Sequence, residues 1–211
     1  MPNILALLLL FAQKPPSVTL TAPVDPVVAA KTHDQLAANL SPSAKSKLAT
    51  VVTSLRTSAS VTDAVARTAV NAAFPNLSDG DTQALMFMAM MEASNEAQQD
   101  LKNIASEVDK MNAQKSALGS KLGTAGAHSA SIAKVVVQSN PVDYYRAPDP
   151  LPADASAAEM QKRLHDLDGM AIANERWIKR LTNQQLQMKS LISNTFKAAQ
   201  SVTPSVLRSL N

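Results

Sequence analysis

Between Ser78 and Leu122, apolar or small residues recur in alternating steps of three and four: Phe87, Met90, Ser94, Ala97, Leu101, Ile104, Val108, Met111, Lys115, Leu118 and Leu122. A repeat of three and a half residues keeps one helical face in line only when a second helix runs along it. The chain supplies that second helix. Met160, Leu164, Leu167, Ala171, Asn174, Ile178, Leu181, Gln185, Met188, Ile192, Thr195 and Ala199 repeat the same spacing. Two long seams in one chain specify an intramolecular helical hairpin. Polar residues within a seam commonly set register, which is the role expected of Lys115, Asn174 and Gln185. Lys115 can also reach solvent past its own stem. Ile104 and Ile178 should be core, with Glu107 and Lys179 on exposed flanks.

The composition agrees with helices that meet along narrow seams. Of 211 residues, 45% are apolar but only 3% aromatic, and five are glycine. A sheet protein would use more β-branched and aromatic side chains. The chain has no cysteine, which excludes disulfides, thiolate metal sites and cysteine nucleophiles. Its net charge of +3 comes without a basic run longer than two residues or basic residues interleaved with aromatics, so no nucleic-acid partner is expected.

Ile4 to Ala12 is an apolar run, ILALLLLFA, too short to span a bilayer and of the length of a signal-peptide core. Residues 1–13 are therefore expected to be an export leader. A competing expectation is a buried N-terminal helix, since Met1-Pro2-Asn3 carries no basic side chain and Leu10 suits a cleavage site poorly. Residues 14–25 contain Pro15, Pro16 and Pro23 and read as an extended linker. A single helical domain should occupy 26–211.

Three short helices should form a head over 26–75. Asp25 and Pro26 open the first, which should run to about Asn39. Ser41 and Pro42 open the second, with Leu48, Val51, Val52 and Leu55 on one face. The third should start from a capping box, Ser60 with Asp63, and present Val61, Val65, Ala69 and Phe74, with Pro75 closing it. The first long helix begins at Ser78 or Asp79. Its opening turns, Ala84 to Met91, are apolar on every side and so should be buried on every side.

Gly119, Gly123 and Gly126 favour a stop or kink at 123–126, ending the helix near Leu122. The alternative continues it to about Gln138, with Trp177 packed over Gly119 and Gly123. Prolines 141, 148, 150 and 152 make 140–155 a loop, placed at the far tip of the hairpin. Ser156 and Glu159 form a capping box for the second long helix, 156–200. Val206, Leu207 and Leu210 suit a last apolar turn against the head. Seven carboxylates against one lysine lie between Asp79 and Asp109, and six basic residues against Glu175 lie between Asn174 and Asn211. Antiparallel docking would set these opposite charges side by side.

The chain carries no Gly-rich phosphate loop, nucleophile elbow or His-Glu-x-x-His pattern, so no catalytic residue and no cofactor is expected. Met86, Met88, Met90 and Met91 offer soft thioether ligands of the Cu(I) type, but helical spacing divides them between two faces, which fits core filler. His165, three residues before Asp168, fits a solvated face, and no metal site is expected. Tyr144, Tyr145 and Arg146 place both tyrosines of the chain beside an arginine in a loop. These residue types favour binding hot spots, so the three are the candidate partner-binding residues.

In architecture the chain resembles exported coiled-coil hairpin proteins such as filament or tip subunits of secretion machines, a likeness of class that carries no residue over. The expected fold is all-α: an elongated antiparallel coiled-coil hairpin with a small N-terminal helical head. The expected function is a non-catalytic structural or protein–protein interaction role, through protein partners or self-association. Its location is periplasmic or extracellular if the leader is cleaved, and otherwise cytoplasmic. The alternatives are a subunit of a secreted filament or translocation apparatus that meets a membrane through its Met-rich end, and a Met-rich metal carrier. Membrane contact is not otherwise indicated.

Overall fold

The computed structural model describes residues 24–123, 136–139 and 142–202. The leader, the linker up to residue 23 and the apolar turn at Val206 to Leu210 lie outside the described residues. In chain order the elements are α1 (Pro26–Ala37), α2 (Pro42–Thr57), α3 (Asp63–Ala73), α4 (Asp79–Leu122), β1 (Val136–Ser139), β2 (Val142–Tyr145) and α5 (Ala157–Ser201). The fold is an all-α hairpin of α4 and α5 with a helical head, and one small antiparallel ribbon is added to it.

Each helix starts where a side-chain oxygen takes an otherwise unpaired backbone N–H. Asp25 accepts from the Val27 N–H at 2.8 Å and Ser41 from Ala44 at 3.1 Å. Ser78 accepts from Asp81 at 3.2 Å. Ser156 and Glu159 close a full capping box. At α3 the cap is Thr62, which accepts from Val65 at 3.3 Å, and not Ser60. The difference arises because residues 58–61 are held against α5. There Gln184 Nε2 donates to the Ser58 carbonyl at 2.6 Å and Gln187 Oε1 accepts from the Val61 N–H at 2.7 Å. Arg180 donates to the Thr57 carbonyl at 3.1 Å, so α5 side chains satisfy the C-terminal end of α2.

The long helices are antiparallel and meet along the seams read from the sequence. Phe87 faces Phe196 at the head end with ring centroids 5.7 Å apart. Further along, Gln185 Nε2 donates to the Ser94 carbonyl at 3.2 Å, and Lys115 reaches Asp168 at 3.0 Å toward the other end. Both polar seam residues thus tie the helices at a fixed register. Ile104, Met111, Leu181 and Met188 are buried between them. From Ala84 to Met90 every residue is buried, because α4 is wrapped here by the head as well as by α5. Met86, Met88 and Met90 are interior residues of that cluster, beside Leu48, Leu55 and Val70.

Helix α4 stops at Leu122, with the Gly123 N–H bonded to the Gly119 carbonyl at 2.9 Å. Its continuation to Gln138 is overturned: Val136 to Ser139 form a strand, as suits consecutive β-branched residues beyond a glycine-rich stretch. Trp177 therefore does not cover Gly119, around whose Cβ position the described residues leave open space. The Arg180 guanidinium lies 4.9 Å over the Trp177 ring instead.

The expected charge pairing between the long helices is also replaced. Four of the seven carboxylates between Asp79 and Asp109 are taken by the head: Arg56 of α2 binds Glu96 and Asp100, Arg67 of α3 binds Asp79, and His33 of α1 binds Glu92. The Lys115–Asp168 bridge that joins α4 to α5 has the opposite sense, cation on α4. The head helices cross the acidic half of α4 and bring arginines to it at close range, which leaves the cations of α5 on the outer side.

Helix α1 buries little of itself, with Ala29 and Leu36 its buried residues, so the polar tie at His33 matters to its docking. The hydrogen bond to Glu92 raises the imidazole pKa above 6.5; burial opposes this, and Asp34 adds to it. A raised folded-state value means that the contribution to stability is full below the unfolded pKa and is lost as pH rises through the folded one. Raising pH from about 6 to about 9 should lower the melting temperature of the wild type more than that of His33→Gln. Equal slopes would show that this bridge does not hold α1.

The seam makes a second expectation. Ile104→Asp, which buries a charge without a partner, should cost about 3 kcal/mol or more in chemical denaturation. Lys179→Gln, on an exposed position, should stay within about 0.5 kcal/mol. Similar losses from both would put the seam on another face.

Candidate functional site

The proline-rich stretch holds the candidate binding residues, and it does not sit where the sequence placed it. Strands β1 and β2 pair antiparallel, Val136 with Tyr145 through Ser139 with Val142. The backbone of Tyr145 is clipped to α5. Its N–H donates to Asn174 Oδ1 and its carbonyl accepts from Asn174 Nδ2, both at 2.8 Å. Two residues on, the Ala147 N–H donates to Glu107 Oε2 of α4 at 2.8 Å. Tyr144, Tyr145 and Arg146 therefore lie on the flank of the hairpin, about 22 Å short of the α4 terminus at 1.5 Å per residue, and not at its tip.

The chain then runs lengthwise toward the far end. The Pro148 carbonyl accepts from Gln114 Nε2 and the Asp149 carbonyl from Arg163, each at 2.6 Å. Prolines hold this stretch extended and remove N–H groups that would need partners. Leu151 ends it against the cluster of Leu118 and Leu167.

The two rings divide between the two halves of the core. Tyr144 packs against the head-side cluster and Tyr145 against the cluster around Met111, Leu167 and Met170. Both are half-buried, whereas Arg146 is exposed. The trio is thus one exposed cation beside two partly used rings. Asn174, expected as a register device within the seam, is fully buried, and its amide serves the strand.

Glu107 is the residue that the sequence misplaced. It was expected on an exposed flank, yet it is buried beneath residues 146–147. Burial pushes its carboxyl pKa up, but the hydrogen bonds from Lys110 and from the Ala147 N–H, with Arg146 nearby, outweigh this and hold it below the ordinary value. The carboxylate is charged at neutral pH and accepts from both sides. Arg180, Gln184 and Gln187 were likewise not anticipated as contacts. Their spacing of four and three on one side of α5 was the available signal.

The other constellations separate. Met86, Met88 and Met90 are core, and Met91 is partly buried beside them. His165 is exposed, and its helical neighbour Asp168 is engaged by Lys115. Among the described residues no group of three His, Cys, Asp or Glu is placed to hold a metal ion, and no helix is long and apolar enough to cross a membrane. No protein-family model, curated protein or solved structure matches this chain.

The clip can be tested directly. Asn174→Ala leaves the Tyr145 N–H and carbonyl without partners beside a packed seam and should cost about 1–3 kcal/mol. Glu107→Ala should cost a similar amount by orphaning the Ala147 N–H, while Glu107→Gln, which keeps an acceptor, should cost less. Amide exchange at Tyr145 and Ala147 is the local readout. Exchange unchanged in both alanine variants would mean that the strand is held by other contacts.

Proposed function

We infer that this protein is a non-catalytic structural or interaction protein that binds a protein partner, or a second copy of itself, through the flank of its helical hairpin. The observation that carries this reading is the fixing of residues 144–147 to both long helices, by Asn174 on one and Glu107 on the other. A strand held at both sides presents its outward atoms without further ordering, and preorganisation of that kind favours binding. Arg146 is the exposed member and supplies the contact; Tyr144 and Tyr145 supply its apolar surround and also serve the core. Export through the apolar leader at Ile4 to Ala12 accompanies this reading.

The discriminating variant is Arg146→Ser. It should leave the melting temperature unchanged and lower capture of the partner recovered from the host by at least about tenfold, the effect of losing about 1.4 kcal/mol at a hot spot. Replacing Tyr144, Tyr145 and Arg146 together by Ser should lower stability as well, because both rings pack against the core. Intact mass of the same protein purified from its host should show the loss of residues 1 to about 12. Unchanged capture by Arg146→Ser would remove this surface from the interaction, and a retained leader on soluble protein would remove export.

A further inference from the structure

The outward face of α5 is the strongest uncompensated feature outside the strand and its clip. Arg176, Lys179, Lys189 and Lys197 are exposed on it and form no ion pair among the described residues. Beyond Asp168 the chain has one carboxylate, Glu175. Arg180 does not belong to this face, since it turns inward over Trp177 and onto the α2 terminus. Four carboxylates of α4, Asp79, Glu92, Glu96 and Asp100, are bound by Arg67, His33 and Arg56 of the head, and no carboxylate of α4 pairs with these cations among the described residues. Ile172 and Leu186, two heptads apart on the same side, are 51% and 61% exposed. From Arg176 to Lys197 the face is straight and roughly 31 Å long.

We propose that this face, from Ile172 to Lys197, docks the rod lengthwise on an anionic lipid surface. An acidic protein would offer the same charge, but the composition argues against it. Protein interfaces are depleted in lysine and enriched in aromatic residues, whereas this face is mainly lysine with no exposed ring. Flexible ammonium groups spread along a straight line suit a plane of phosphate headgroups, each adding a modest attraction. Ile172 and Leu186 supply the shallow apolar contact that accompanies such binding. The apolar side of α5 is already buried against α4, so attachment is peripheral and reversible and requires no unfolding. This surface is separate from residues 144–147 and stands whether or not Arg146 binds a partner.

The test is sedimentation of the full chain with vesicles of phosphatidylcholine alone and with about one third phosphatidylglycerol. Binding is expected to the anionic vesicles only, and should weaken as salt rises from about 50 to about 300 mM. A triple reversal, Lys179→Glu with Lys189→Glu and Lys197→Glu, should reduce it by at least about tenfold with an unchanged melting temperature. Ile172→Ser with Leu186→Ser should weaken it less. The run from Ile4 to Ala12 carries no charge, so attachment through it would be equal on both vesicle types and would survive the reversal; that result overturns the proposal. So would charge-dependent capture of an acidic polypeptide by this face without vesicle binding.

Discussion

Two helices packed side by side bury one stripe each, and a heptad stripe of Ala, Leu, Met and Ile is narrow. Everything wider than that stripe must be covered by a third element. In this protein the cover comes from two sources: short helices at one end and an extended strand along the flank. Both are attached by polar groups. Gln184 and Gln187 hold the α2–α3 connection, while Asn174 and Glu107 hold β2 and its continuation. Removing one such partner exposes the unmade bonds of the other, which gives the attachments their specificity.

This dependence explains which parts of the fold were legible in the sequence. The seams were, because spacing alone determines which residues face a partner helix. Phe87, Ile104, Leu181 and Met188 lie where the repeat put them. The stop of α4 at Gly123 and the start of α2 at Pro42 were legible too, since both act through their own backbone chemistry. What covers the flanks was not. A glutamate at 107 looks the same in sequence whether it faces water or an incoming N–H forty residues away. The tyrosine pair was recognised as unusual, but its position depended on Asn174, whose place within a seam suggested a role between helices.

Charge taught a similar lesson. The acidic half of α4 and the basic half of α5 do face the same part of the molecule, but proximity along a hairpin does not decide pairing. Arg56 approaches Glu96 and Asp100 from a third helix and is itself largely enclosed. Carboxylates so engaged belong to the head, and Arg176, Lys179, Lys189 and Lys197 stay exposed on α5.

The strand that crosses the groove ties Tyr145 to one long helix and Ala147 to the other, two residues apart. A load that splays α4 from α5 at Leu122 and Ala157 would first meet the Leu118 layer with Leu151 packed on it and the Lys115–Asp168 bridge. At the level of Glu107 and Asn174 it would meet a short transverse strut. There the load shears several hydrogen bonds at once. The rod is therefore cross-tied at two levels, by Lys115, Gln114 and Arg163 nearer its end and by Asn174 and Glu107 at the strand, and strain applied at the end meets both before the methionine-lined head.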